Sequence, residues 1–229
     1  MSATTAETGP PASKAILIVD DHPMMRRGLT ALIESEPGLK VCGQAATCEA
    51  ALKVIRACRP DLVLVDLELD GCHGLDLIKA MKKRHPKIPA LVLSMHDESV
   101  YAERSLRAGA LGYITKQQLD ETLLLAMRRL LNGETYVSDK LEARLATKYL
   151  GGQTLEADAL MDALSDRELQ VFRLIGEGQS TRQIAKTVAL SVKTIESHLE
   201  HIKQKLVLTS SVELAQRATQ WVEAGRGDR

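Results

Sequence analysis

The chain is poor in aromatic side chains, with 4 Tyr, 1 Trp and 1 Phe among 229 residues. Its cores must therefore be mainly aliphatic, and a hydrophobic content of 45% over this length suits two compact domains joined by a linker. No apolar run approaches the length needed to cross a membrane. The first 13 residues are small, polar and proline-containing and lack the features of a signal peptide, so we expect a disordered tail.

The chain also lacks net charge, with 30 Lys and Arg against 30 Asp and Glu. From Ala163 onward there are ten basic and eight acidic residues, far from the basic excess of a constitutive DNA binder. Charge alone therefore gives little support for nucleic-acid binding.

Cysteine pairs with metal-binding spacing are missing as well. Cys42, Cys48, Cys58 and Cys72 form no CxxC pair and have no histidine at the spacing of a zinc site. We expect four reduced thiols, which suits a cytoplasmic protein, and Cys72 is the thiol that we expect to be most exposed to oxidation.

Polar residues stand at or just beyond the carboxyl ends of several short apolar runs that are typical of buried parallel strands. They are Asp20 and Asp21 after AILIV, Asp66 after LVLV, Ser94 after ALVL, and Lys116 shortly after LGYI. In an open α/β sheet the carboxyl ends of the strands share one crevice, so these residues are predicted to meet there. Three crowded carboxylates call for a divalent cation, while a hydroxyl and an ammonium suit phosphate oxygens. The pattern predicts phosphoryl transfer onto an aspartate, assisted by Mg²⁺.

Acidic residues that only cap helices would explain any one of these positions, but not all of them together. From Lys14 to Gly133 the chain resembles the receiver domain of two-component response regulators. The resemblance implies that Asp66 accepts the phosphoryl group and that Mg²⁺ is held by Asp20, Asp21, Asp66 and the backbone carbonyl of Glu68. It also implies that Ser94 and Lys116 bind phosphoryl oxygens, and that Tyr113 changes rotamer on phosphorylation.

The chain departs from the receiver pattern at three positions. Asp70 replaces a proline in the loop after Asp66, which loosens the loop but removes no catalytic group. Gln117 replaces the proline that commonly follows the lysine, which leaves open whether the Lys116–Gln117 peptide is cis. Ser94 stands for threonine and keeps the hydroxyl. Glu68 and His96 border the approach to the phosphoryl group; they are either determinants of its lifetime or simply exposed loop residues.

Helix-start signals recur between Leu164 and Val222. Ser165 with Glu168, Ser180 with Gln183, and Ser210 with Glu213 have the capping-box spacing, and Ser191 can cap a further helix. Four short helices are predicted, with a tight turn at residues 189–191 between the second and the third, as in a helix-turn-helix. The periodicity of the third helix would fit an ordinary surface helix equally well.

The segment from Leu164 to Leu206 closely resembles the LuxR-type helix-turn-helix of the NarL/FixJ response regulators. By that resemblance the helix from Val192 to Leu206 enters the major groove of DNA. The candidate DNA-contacting residues are Thr181, Arg182, Lys193, Thr194, Glu196, Ser197, His198, Glu200, His201, Lys203 and Lys205. A single copy should bind weakly, and dimerisation would compensate by doubling the contacts and requiring two half-sites.

The expected fold is a flavodoxin-like receiver, an α/β doubly wound five-stranded parallel sheet, followed by a small all-α helix-turn-helix domain. The expected regions are a tail at 1–13, a receiver at 14–133, a linker at 134–162 with a short helix from Asp139 to about Leu150, and a DNA-binding domain at 163–229.

The expected function is that of a response regulator rather than an enzyme acting on an external substrate. A sensor histidine kinase would phosphorylate Asp66 with Mg²⁺ as cofactor, which would promote a homodimer that binds promoter DNA, with RNA polymerase as a further possible partner. We hypothesise that in the unphosphorylated chain the domains pack together and cover the Val192–Leu206 helix. Two alternatives stay open: a receiver controlled by a binding partner without phosphorylation, and a phosphatase working through an aspartyl-phosphate.

Overall fold

The computed structural model describes residues 13–95, 98–119, 121–149 and 163–227. The first half contains a five-stranded parallel sheet in the order β2-β1-β3-β6-β7. Its strands are β1 (Lys14–Val19), β2 (Leu39–Ala45), β3 (Leu62–Asp66), β6 (Ala90–Ser94) and β7 (Gly112–Thr115). A short antiparallel pair, β4 (Glu68–Leu69) and β5 (Cys72–His73), lies in the loop after β3.

Helices cover both faces of this sheet, because successive side chains of a strand point to opposite faces. The helices are α1 (Pro23–Glu34), α2 (Cys48–Cys58), α3 (Gly74–Arg84), α4 (Glu98–Ala108) and α5 (Glu121–Leu131). Ile16 and Ile18 of β1 lie in one apolar cluster with residues of α1 and α5. Leu17 and Val19 lie in the other cluster with residues of α2, α3 and α4. This is the doubly wound receiver fold expected from the sequence.

The chain after α5 stays attached to the receiver. Tyr136 forms a parallel bridge with Gly112 at the outer edge of β7, and its amide and carbonyl bond to Leu111 and Tyr113. Helix α6 (Asp139–Tyr149) then begins at the residue predicted for the linker helix and contacts α4. Leu150 and the remaining predicted linker to Asp162 lie outside the described residues, as do the first twelve residues of the predicted tail and His96.

The second half is helical, with α7 (Asp166–Gly176), α8 (Thr181–Thr187), α9 (Val192–Leu206) and α10 (Ser211–Gly227). Complete capping boxes start α7, at Ser165 and Glu168, and α8, at Ser180 and Gln183. The Ser191 hydroxyl accepts the Thr194 N–H at the start of α9. These caps were predicted from the sequence and are confirmed. None of the described helices is both long and apolar enough to span a membrane.

The expectation of four reduced thiols is wrong for two of them, since Cys48 and Cys72 form a disulfide. The pairing of β4 with β5 brings Cys72 to the start of α2, where Cys48 is the first residue. A separation of 24 residues carries no pairing signal in a single sequence. Cys42 and Cys58 are free thiols.

The two halves pack together through α7, and this corrects the hypothesis of a covered α9. Asp166 accepts hydrogen bonds from Lys79 at 2.6 Å and from Arg104 at 3.0 Å, both in the receiver. Arg104 also donates to the carbonyl of Leu164 at 3.0 Å. Most polar residues of α9, including Lys193, remain exposed. Docking of the halves therefore covers α7 rather than the helix expected to read DNA.

Candidate phosphorylation site and DNA-binding helix

Four acidic or imidazole side chains meet at the carboxyl end of the sheet. Ligand atoms of Asp20, Asp21, His22 and Asp66 lie within 4.8 Å of one another. Asp20 and Asp66 are buried at the ends of β1 and β3, while Asp21 is partly exposed. His22 was not predicted; its Nδ1 lies 2.6 Å from Asp21 Oδ1. Its only signal in the sequence was its position directly after the acidic pair.

Lys116 provides the positive charge of this cluster. Its ammonium donates to Asp20 at 2.7 Å and to Asp66 at 2.6 Å, and all three side chains are almost fully buried. Burial lowers the pKa of Lys116, but the charges and hydrogen bonds of Asp66 and Asp20 outweigh it, so the net shift is upward. The ammonium therefore stays charged between the two carboxylates.

The pKa of Asp66 is raised to about 6. Burial is the largest cause and the charge of Asp20 adds to it, while the ammonium of Lys116 opposes both. Burial likewise raises the pKa of Asp21. A divalent cation would stabilise the ionised form of these carboxylates, because it neutralises their charge.

The donor set fits Mg²⁺, which prefers carboxylate oxygens and keeps several waters. Asp21 Oδ1 is buried, and apart from its 2.6 Å ion pair with His22 it has no hydrogen-bond partner in the part of the chain that the structure describes. Asp20 Oδ1 accepts the backbone N–H of His22 at 2.8 Å, which fixes the orientation of this carboxylate. Together with Asp66 these residues offer oxygen ligands on one side of the crevice.

The other predicted residues of the receiver lie around the same strand ends. Ser94 is fully buried at the end of β6, in register with Thr115 of β7. Tyr113 is buried in β7, and Lys116 opens a short 3-10 helix that runs to Gln118. The Lys116–Gln117 peptide bond is trans. The sequence had left the isomer of this bond open, because Gln117 replaces the proline that commonly follows the lysine.

The loop from Asp66 to Gly74, here called the acceptor loop, is closely fitted to β3. The amide of Glu68 donates to Asp66 Oδ1 at 3.3 Å. A Cβ on Gly74 would lie 2.1 Å from the carbonyl oxygen of Asp66, so only glycine fits there. Asp70, which replaces a proline, is exposed, and the adjacent Gly71 makes the turn with φ of 73°.

The candidate DNA-contacting residues of α9 fall into two groups. The first group is exposed and comprises Lys193, Glu196, Ser197, Glu200 and His201. Thr194 and Lys203 are half-buried at its sides, and Lys203 pairs with Glu200 at 2.7 Å. On α8, Arg182 is exposed and Thr181 half-buried at the first turn. The exposed group forms one continuous surface on the side of α9 opposite its buried residues.

The second group, Lys205 and His198, lies toward α7. Lys205 donates to Glu168 at 2.6 Å. His201, at the edge of the exposed group, has its Nδ1 3.9 Å from the same carboxylate. Burial lowers the pKa of the half-buried His198, against the opposing charge of Glu168. Lys205 therefore helps to hold α9 on α7 in this arrangement, a role that the periodicity of α9 did not reveal.

Two family models match the chain. The response regulator receiver domain matches residues 16–128, and the luxR family of bacterial regulatory proteins matches residues 162–218. The chain is 35% identical over 200 residues to the response regulator GacA of Pseudomonas aeruginosa, covering 87% of this chain and 92% of that protein. It belongs to the NarL/FixJ family of response regulators.

Further relatives agree with this membership. The response regulator is 36% identical over 208 residues to the oxygen regulatory protein NreC of Staphylococcus epidermidis, covering 89% and 95% of the two chains. A LuxR-family response regulator from Aurantimonas is 32% identical with a TM-score of 0.57, covering 61% of this chain and 99% of that one. RcsB of Salmonella enterica, bound to a promoter in the presence of phosphomimetic BeF3⁻, is 25% identical with a TM-score of 0.63, covering 91% and 99%.

This response regulator thus combines a receiver with a LuxR-type DNA-binding domain, the combination of a regulator of transcription.

Proposed function

We propose that the receiver accepts a phosphoryl group on Asp66 from a phosphorylated histidine of a sensor kinase and thereby controls DNA binding. The observation that carries this proposal is the position of the Asp66 carboxylate. It lies at a strand end, beside Asp20 and Asp21 and 2.6 Å from the ammonium of Lys116. With a pKa of about 6, Asp66 is mainly ionised at neutral pH and can act as the nucleophile.

In the proposed step an Asp66 oxygen attacks the phosphorus atom, and the bond from phosphorus to the donor nitrogen breaks. Lys116 and Ser94 would bind the oxygens of the transferred group. Asp20, Asp21, Asp66 and the Glu68 carbonyl would hold Mg²⁺, which supplies charge neutralisation for the phosphoryl oxygens. The resulting mixed anhydride on Asp66 would be discharged by water at the same site.

We further propose that phosphorylation moves Ser94 and Tyr113 and promotes a homodimer in which two copies of α9 read two half-sites on promoter DNA. The exposed surface of α9 supports this assignment. Glu196, Ser197 and Glu200 are the candidates for base contacts, while Arg182, Lys193 and Lys203 are candidates for phosphate contacts. The protein would act in the cytoplasm, with RNA polymerase as its final partner.

The proposal is tested by incubating the native chain with Mg²⁺ and acetyl phosphate and measuring both phosphorylation and oligomeric state. Labelling should vanish in Asp66→Ala and persist in Asp70→Ala, a matched control on the same loop whose side chain is exposed. The labelled chain should form dimers that bind DNA more tightly than the unlabelled chain. Absence of labelling in the native chain would instead favour a receiver controlled by a binding partner.

A further inference from the structure

An arginine of the DNA-binding half reaches the acceptor loop of the receiver. Arg173 lies on α7, and its Nη2 forms an ion pair with the carboxylate of Glu68 on β4. Its Nη1 pairs at 2.5 Å with Glu177, the residue that caps the carboxyl end of α7. The Arg173 side chain is 12% exposed and the Glu68 side chain 38%, so the guanidinium is enclosed between the two halves while the carboxylate stays partly open to solvent.

The surroundings of Arg173 keep the guanidinium in place. Tyr101 of α4 is buried beside it, and burial raises the pKa of that tyrosine to about 12 although the charge of Arg173 opposes the shift. Burial lowers the pKa of Arg173, but the neighbouring anionic groups, Glu68 and Glu177 among them, outweigh it and the net shift is upward. Arg173 is therefore held by groups from both halves of the molecule.

Glu68 connects this contact to the phosphorylation site. It follows Asp66 by two residues, across a bend at the fully buried Leu67. The Glu68 amide donates to Asp66 Oδ1 at 3.3 Å, so this residue lies directly beside the acceptor. The negative charge of its carboxylate therefore acts on an anionic phosphodonor that approaches Asp66.

We propose that Arg173 is a positioning residue for phosphoryl transfer to Asp66. By pairing with Glu68 it holds and neutralises that carboxylate beside the acceptor, so the negatively charged donor meets less repulsion. The DNA-binding half thus contributes to the chemistry of the receiver through one side chain. This inference rests on the proposed phosphorylation of Asp66.

The test compares initial rates of Asp66 phosphorylation by acetyl phosphate in full-length chains. Arg173→Ala should slow the reaction on the order of 3-fold to 10-fold, as expected when a partly exposed carboxylate beside the acceptor loses a cationic partner. Arg173→Lys should recover part of the rate. Glu177→Gln, which removes the other partner of Arg173 but leaves Glu68 paired, is the matched control and should stay within about twofold of the native rate.

Repeating the comparison in a Glu68→Gln chain distinguishes an effect of Arg173 on the Glu68 charge from a general effect on folding. In Glu68→Gln there is no carboxylate to neutralise, so adding Arg173→Ala should change the rate by less than about twofold. High salt should also reduce the difference between native and Arg173→Ala chains, because it screens the repulsion.

An equal loss of rate with and without the Glu68 carboxylate would overturn the inference, because Arg173 would then act through the fold. So would an unaffected rate in Arg173→Ala while the native chain is labelled, and in that case the proposed function would stand. A native chain that takes up no label would reject the proposed function, and the inference with it.

Discussion

At the scale of single residues, Asp66 determines how the site responds to pH. Only the ionised carboxylate of Asp66 binds a cation or attacks phosphorus. Because its pKa is about 6, this carboxylate becomes protonated at a much higher pH than an ordinary aspartate does. Without metal, the raised pKa means that this carboxyl contributes stability at acid pH, and the contribution is lost as pH rises through about 6. Bound Mg²⁺ would reverse that preference.

We therefore predict that Mg²⁺ raises the midpoint of thermal unfolding at pH 7.5 and has a much smaller effect at pH 5. The physical reason is that protons compete with the cation for Asp66 below its pKa. Differential scanning calorimetry with and without Mg²⁺ measures the shift. Asp20→Asn should weaken it at pH 7.5, whereas Asp70→Asn, exposed on the acceptor loop, should not. Equal shifts at both pH values would contradict the prediction.

Residues differ in how far the sequence could predict them. Asp20, Asp66, Ser94 and Lys116 were expected to converge because strand ends in a parallel sheet share one edge, a rule that needs no knowledge of side-chain packing. Arg173 could not be found in this way, because its partner lies 105 residues earlier in another domain and the pairing depends on docking. The bond from Cys48 to Cys72 likewise depends on how the β4 and β5 pair folds over α2.

At the scale of elements, the starts of helices were predicted well, because a cap is a local interaction. The boxes at Ser165 and Ser180 join residues three apart, so their spacing alone identifies them. At α10 the pattern was only half realised: Ser210 accepts the amide of Glu213, but the Glu213 side chain bonds to the amide of Thr209 instead of that of Ser210. The β4 and β5 pair was not predicted, because two-residue strands leave no periodicity.

The start of α3 gives a prediction about how the acceptor loop is fitted to β3. Gly74→Ala would place a Cβ 2.1 Å from the Asp66 carbonyl oxygen and 2.9 Å from the Leu67 Cα, so the backbone must move. We expect a loss of about 2 kcal/mol or more in the free energy of unfolding, as for other overpacked sites, together with slower labelling of Asp66. Urea unfolding measures the first effect and acetyl phosphate labelling the second.

Gly28→Ala is the matched control for this change. Gly28 lies inside α1 with nothing within 4 Å of the added Cβ, so alanine should raise stability by roughly 0.5 to 1 kcal/mol. A Gly74→Ala chain as stable as the native chain, and labelled as fast, would show that the loop is less tightly fitted than the structure indicates.

At the scale of the whole molecule, the sequence predicted two halves but not the way they meet. The docked surface includes charged residues whose partners lie far away in the chain, such as Lys79 and Asp166, which are 87 residues apart. In the sequence alone, each of these charged residues is equally consistent with the solvent-exposed face of an ordinary helix. Because the docking leaves most polar residues of α9 exposed, direct cover of α9 does not explain the proposed control of DNA binding in this arrangement.

Asp166 is the residue through which this docking can be tested. Burial raises its pKa, but the hydrogen bonds and charges of Lys79 and Arg104 outweigh that effect and hold the pKa below the usual 3.8. The contact is therefore fully present above about pH 4 and is lost as pH falls through the lowered pKa. Asp166→Asn should loosen the docked halves at neutral pH, because both cations lose their anionic partner.

Small-angle X-ray scattering should show a larger radius of gyration for Asp166→Asn than for the native chain, while Glu49→Gln, an exposed change on α2, should leave it unchanged. Linkage adds a second expectation: if the contact of Arg173 with Glu68 stabilises the phosphorylated state at equilibrium, and not only the rate of transfer, then phosphorylation favours docking by the same factor. The phosphorylated native chain should then keep the native radius per protomer, and Asp166→Asn should be labelled more slowly. If the phosphorylated chain instead reaches the radius of gyration of Asp166→Asn, phosphorylation opposes docking, and the phosphorylated receiver releases α7.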